Sequence, residues 1–132
     1  MEDLPVLDAA ALRQLAERSP AAACPRCAAI KAPGWEAMPG AFDRGGLRQV
    51  GTLRRPDIED PTLQEHHPEG TNAWSPDAPV APAFFPYNRC DAWQCVQCGR
   101  SFLRYTEYGG YYVEERVREL HAPLIVDAGG PP

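Results

Sequence analysis

Three features of the sequence predict a small, mostly-β (α+β), metal-stabilised domain. Two Cys-x-x-Cys pairs lie far apart in the chain. A run of alternating aromatic and branched residues near the C-terminal end is interrupted by Gly-Gly. The middle is so dense in proline that no long helix crosses it. The 132 residues suffice for one modest domain, taken as 1–132. Apolar content is ordinary at 44%, but with 15 prolines a single core covering every residue is not expected. A metal is one of the staples small domains use.

Charge and motif content narrow the classes. A formal net charge of −5 argues against non-specific nucleic-acid binding, which rests on neutralising phosphates. No apolar run approaches a membrane span, and the Met-Glu-Asp start lacks a basic region followed by an apolar one. A cytoplasmic location is therefore expected. In a reducing compartment, five cysteines favour a metal over disulfides.

The first element is a helix over 8–18. Asp8 is its N-cap, and Ala9, Ala10 and Ala11 are strong helix formers. Leu7 and Leu12 are placed to staple the first turn, and Leu12, Leu15 and Ala16 form a narrow apolar stripe. Arg13 and Glu17 form an i,i+4 pair, and Ser19-Pro20 stops the helix. A helix this short packs on its own domain rather than on a partner.

Cys24-Pro25-Arg26-Cys27 is the first knuckle, at 24–27, with Pro25 stiffening the turn. Residues 28–94 read as a long Pro-rich, irregular insertion. Its aromatic residues favour order over disorder in at least half of it. Within it, Gly46 to Leu53 holds a short strand, with Leu47, Gln49 and Gly51 facing one way and Arg48, Val50 and Thr52 the other. Residues 74–87 read as turn-rich or polyproline-like.

The second knuckle and its hairpin occupy 95–120. Gly99 follows Cys98, where a positive φ is often needed. Ser101–Tyr108 and Tyr111–Val117 read as strands joined by a two-residue Gly109-Gly110 type I′ turn. That register pairs Tyr108 with Tyr111, Arg104 with Glu115 and Phe102 with Val117, and on the other face Tyr105 with Glu114. Residues 127–132 are expected to fray.

Cys24, Cys27, Cys95 and Cys98 supply four thiolates, a donor set suited to a closed tetrahedral zinc site of structural type. Iron is the rival metal. A redox dithiol is the other rival, since Cys24 and Cys27 have the spacing of a disulfide oxidoreductase, but no βαβ pattern surrounds them. The long separation of the pairs is tolerable, because loop-closure entropy grows only logarithmically with length.

The two knuckles and the hairpin resemble those of a zinc ribbon and of rubredoxin-like folds. The resemblance spans about 30 residues. It implies a small antiparallel sheet around one zinc and transfers no function. Ala28 in place of glycine and the long insertion depart from the pattern.

Outside the four-Cys set, Cys90 reads as a small buried residue, with a substitute ligand or reactive thiol as the lesser alternative. His66 and His67 are neighbours that face apart on an extended chain, so a solvated loop is expected there rather than a second metal site.

Three functions are weighed. The first is a non-enzymatic binding protein. A closed four-Cys site leaves the metal no open position, and Trp35, Trp74, Phe84, Phe85, Tyr87 and Trp93 are candidates for a protein-contacting surface. The alternative is nucleic-acid binding through Arg100, Arg104, Arg116 and Arg118, with Tyr105, Tyr111 and Tyr112 stacking on bases. An enzyme built on Glu65, His66, His67 or Cys90 ranks last. No nucleophile–base motif, phosphate loop or His-Glu-x-x-His pattern is present, so no catalytic or cofactor-binding residue is assigned.

Overall fold

A computed structural model describes residues 4–20, 22–40, 42–72 and 74–128. Its frame is one antiparallel sheet of five strands. These are β1 (Glu36–Ala37), β2 (Leu47–Thr52), β3 (Asp91–Cys95), β4 (Ser101–Tyr108) and β5 (Val113–Glu119). They lie in the order β1-β5-β4-β3-β2, with a single helix, α1 (Ala9–Glu17), packed beside them. Among the described residues no helix is long and apolar enough to cross a membrane.

α1 forms where its cap and stripe place it. The Asp8 carboxylate accepts the Ala11 N–H at 2.8 Å, and Ala9, Leu12, Leu15 and Ala16 are buried. Leu7 packs against the same cluster. Arg13 does not pair with Glu17. Its guanidinium donates instead to the Ile125 carbonyl at 3.0 Å, because the chain beyond β5 passes close enough to offer a backbone acceptor. Replacing Asp8 by alanine leaves an orphan N–H at the first turn and is expected to cost about 1 kcal/mol. A thermal melt reads this as a drop of a few degrees.

The chain between the knuckles builds much of the sheet, supplying β1, β2 and most of β3. β2 falls where the sequence places it, but a register shift between Gln49 and Gly51 breaks the expected alternation and brings Gly51 opposite Ala92. Residues 5–7 run along the outer edge of β2, with Leu7 N–H to Thr52 O at 2.8 Å and Thr52 N–H to Pro5 O at 3.0 Å. Residues 74–87 are turn-rich, and Val80 bridges in parallel to Ile125.

The hairpin forms in a different register from the one the sequence suggests. Tyr108 pairs with Val113, Arg104 with Val117 and Phe102 with Glu119. The loop is therefore Gly109 to Tyr112, closed by Gly109 N–H to Tyr112 O at 2.8 Å, and neither glycine takes the positive φ of a type I′ turn. A shift of two residues leaves every side chain on its original face, so the hydrophobic pattern cannot distinguish the two registers. Tertiary contacts do distinguish them. The observed pairing draws Arg118 and Glu119 into the sheet, opposite Leu103 and Phe102. Arg104 keeps Glu115 as a diagonal partner at 2.6 Å, and Arg116 donates to the Tyr105 hydroxyl at 3.2 Å. A Cβ at Gly109 lies 2.5 Å from the half-exposed Tyr112 ring, so a larger residue there displaces that ring.

Two clusters cover the two faces of the sheet. Ala92, Leu103 and Tyr105 join α1, Trp35, Val80, Tyr87 and Ile125. Phe102, Val117 and Leu47 join Cys27, Ile30, Ala32, Met38 and Phe42. Alternation along β4 sends Leu103 and Tyr105 one way and Phe102 the other, which makes the clusters two layers about one sheet. Arg118 is buried in the first layer. It donates to the Tyr87 hydroxyl and to the carbonyls of Pro76 and Ala78, tying the turn-rich segment to β5. The tail expected to fray lies outside the described residues from position 129 onward.

Candidate metal centre

Strand order explains how knuckles so far apart in sequence meet. Cys95 ends β3, Cys98 lies in the turn that follows, and Arg100 leads into β4. Residues 32–38 run along the outer side of β5, held by Glu119 N–H to Ala32 O and Met38 N–H to Glu115 O, both at 2.8 Å. That attachment carries the preceding knuckle over the Phe102–Val117 face and onto the start of β4.

Each knuckle is closed by its own backbone. Cys27 N–H donates to Cys24 O at 3.2 Å, and Gly99 N–H to Cys95 O at 3.0 Å. Gly99 has a φ of +86°, as its place after the second cysteine suggests. Ala28 manages without one, since among the described residues no residue but glycine has positive φ.

The four sulfurs converge. Cys24 and Cys27 are 3.8 Å apart at Sγ, Cys24 and Cys95 3.6 Å, and Cys27 and Cys98 3.7 Å. All four lie within 4.8 Å of one another. A tetrahedron with metal–sulfur bonds of about 2.3 Å has edges of about 3.8 Å. The sulfurs thus already stand at the separations of a shared ion. They are far beyond the roughly 2.05 Å of a disulfide, and the cysteines are free. The donor set fits a single metal ion held by four thiolates.

The site has a buried and a more open side. Cys27 and Cys95 are buried, whereas Cys24 and Cys98 are half-buried. In the thiol form, desolvation pushes Cys27 up to about 12, opposed chiefly by the Arg100 guanidinium. At Cys24 desolvation also raises the pKa. The backbone N–H of Cys27 and hydrogen bonds from Cys95, Cys98 and the Arg26 backbone outweigh it, bringing Cys24 to about 6. A bound cation acts in the direction of the thiolate at every one of these positions.

Arg100 is the partner that sequence reasoning missed. It is 4% exposed, and its Nη1 donates to Cys27 Sγ at 3.3 Å. Its Nε donates to Glu119 at 2.7 Å, and its guanidinium lies 4.8 Å from the Phe102 ring centre. The sequence places Arg100 beside a knuckle, but its pairing with Glu119 depends on the shifted hairpin register.

Several expected surface groups are not on the surface. Arg100, Arg104 and Arg118 are buried. Arg116 is 12% exposed at its side chain and pairs with Glu107 and Glu114 at 3.6 and 3.0 Å. The hairpin therefore offers no row of free cations for phosphates. Tyr105 is buried, while Tyr111 and Tyr112 are exposed. Trp35, Phe84 and Tyr87 belong to the core rather than to a contact surface.

Cys90 is fully buried away from the four-Cys cluster, its thiol donating to Pro86 O at 3.2 Å and burial holding its pKa well above the usual value. His66 stacks on Phe84, with ring centres 5.0 Å apart. His67 bonds Glu65 at 2.8 Å and Thr71 at 3.0 Å. Among the described residues these groups assemble no second metal cluster. The chain matches no family model, no curated protein and no solved structure.

Proposed function

We propose that the chain is a cytoplasmic, zinc-stapled binding protein of zinc-ribbon-like design. On this reading it is not an enzyme, and it contacts another protein through the tip of its hairpin. The observation that carries the reading is the exposure of that tip. Tyr108, Tyr111, Tyr112 and Val113 are 76%, 104%, 51% and 67% exposed. Trp74, half-exposed, stacks under Arg116, which also donates to the Tyr112 hydroxyl, so it extends the same patch. Four large side chains crowded onto one hairpin tip are costly to leave in water without a partner, and tyrosine and tryptophan are the residues protein interfaces favour.

The two ends of the hairpin divide the labour. The four thiolates sit at the start of β4 and the tyrosines at its far end, about 25 Å away at strand spacing. Zinc suits the closed four-sulfur set and serves the fold.

Replacing Tyr111 and Tyr112 together by serine tests the reading. The variant is expected to bind metal as the parent does and to melt within a few degrees of it, since Tyr111 is fully exposed and Tyr112 is half-exposed with one hydrogen bond, from Arg116. Its capture of a stoichiometric partner from lysate is expected to fall about 30-fold or more, the effect of losing an interface hot spot. Equal capture by the variant, or no partner in repeated sensitive capture by the parent, would sink the proposal.

A further inference from the structure

We propose that the open edge of β4 at Thr106 and Tyr108 takes an extended, acidic peptide as an added strand. The inference rests on the protein-binding reading and names the chemistry of the partner.

The edge arises because the neighbours of β4 differ in length. β5 pairs with β4 out to Tyr108, whereas β3 pairs only as far as Arg104. Before Asp91 the chain turns away into the short 3-10 helix Tyr87–Arg89. Leu120 N–H bonds Ser101 O at 3.0 Å, and Gly109 N–H bonds Tyr112 O at 2.8 Å. Antiparallel pairing alternates, so the odd-numbered residues of β4 turn their hydrogen-bonding groups to β5. The N–H and C=O groups of Thr106 and Tyr108 therefore point the other way. No backbone or side-chain partner meets them among the described residues. The two ends of the sheet are treated differently, with residues 5–7 running along β2 and a terminal strand, β1, of only two residues beside β5.

A cavity of about 570 Å³ opens along this edge, walled by Leu63, Phe85, Trp93 and Arg89. Its charges are balanced except at one place. Asp91 pairs with Arg54 at 2.9 Å, Glu115 with Arg104 at 2.6 Å and Glu107 with Arg116 at 3.6 Å. Arg89 donates to the Pro61 carbonyl at 2.9 Å and lies 5.8 Å from the Phe85 ring centre. Among the described residues no carboxylate pairs with it, and its Nε is buried without a partner. An unpaired strand edge is a template for another strand, and side chains that alternate along the incoming strand reach the cavity. Apolar residues fit against Phe85 and Leu63, and a carboxylate complements Arg89.

The test uses the full chain labelled with nitrogen-15. It is titrated with a capped hexapeptide that carries valine, glutamate and valine at alternate positions between threonines, so that all three share one face, and with the counterpart that has lysine for glutamate. The glutamate peptide is expected to shift the Thr106 and Tyr108 amide signals saturably and to slow their hydrogen exchange. Thr106→Pro, which removes an edge donor, is expected to abolish the effect. Arg89→Glu is expected to weaken the glutamate peptide at least tenfold and to admit the lysine peptide. Unmoved Thr106 and Tyr108 signals, equal binding of the lysine peptide to the parent, or a peptide-free dimer joined at this edge would overturn the inference. The two readings fail separately. If Thr106→Pro still captures the lysate partner while the Tyr111/Tyr112 double variant loses it, the edge inference falls and the tip reading stands. If the double variant keeps the hexapeptide and the parent captures no partner, the tip reading falls.

Discussion

Cys95→Ser is expected to release the metal and unfold the chain. The purified parent is expected to carry one zinc per molecule by elemental analysis, and the variant none. The sulfurs of Cys24 and Cys95 stand 3.6 Å apart at the junction of the two knuckles, and Cys95 also ends β3. Structural zinc supplies apparent free energies of about 10–16 kcal/mol in small metal-dependent folds. Whole domains are stable by about 5–15 kcal/mol. Losing the ion therefore removes an amount comparable to the entire stability, and the melting transition should vanish or fall to room temperature. A strong chelator applied to the parent should produce the same state, reversed by added zinc. Cys90→Ser is the control. That thiol is buried outside the cluster, so the variant should lose some stability and keep its metal. A Cys95→Ser protein that retains one ion and melts as the parent does would refute the site. Iron in the parent would redirect attention to electron transfer. Absence of metal, with a titratable Cys24–Cys27 disulfide, would point to thiol redox chemistry.

Trp35→Ala carries the second large effect. Trp35 is 1% exposed, meets Tyr105 edge-on at 4.8 Å and lies 5.8 Å from Tyr87. Truncating a buried tryptophan costs about 3–5 kcal/mol through lost transfer energy and the cavity left behind. For a chain of this size that is a fall of roughly 10–25 °C in melting temperature. The effect reaches the metal as well. Trp35 immediately precedes β1, part of the segment 32–38 that lies against β5 and so positions the first knuckle. Zinc competition with a chromogenic chelator should show weaker retention, although no ligand has been touched. Trp35→Phe keeps a ring against Tyr105 and should recover most of the stability. If the alanine variant melts within a few degrees of the parent, Trp35 does not hold the layers together.

Sequence and tertiary structure settled different parts of this protein. The helix start at Asp8, the position of β2, the positive φ at Gly99, the faces of β4 and the donor set of two cysteine pairs all follow from local chemistry. A cap, an alternation, a glycine after a knuckle and a donor set each act over a few residues. The hairpin register does not, because a two-residue shift preserves every face and only the placement of Arg118 and Glu119 separates the alternatives. The fates of the arginines and aromatics follow from that register and from the strand order. Arg100 turns to Cys27 rather than to solvent, and Trp35 and Tyr87 fill the core while Tyr111 stands free. The open edge at Thr106 depends on where β3 stops beside β4, a comparison between strands that one strand's sequence does not contain. Short-range preference decides which elements form. Burial and pairing across distant segments decide which side chains those elements leave for chemistry and contact.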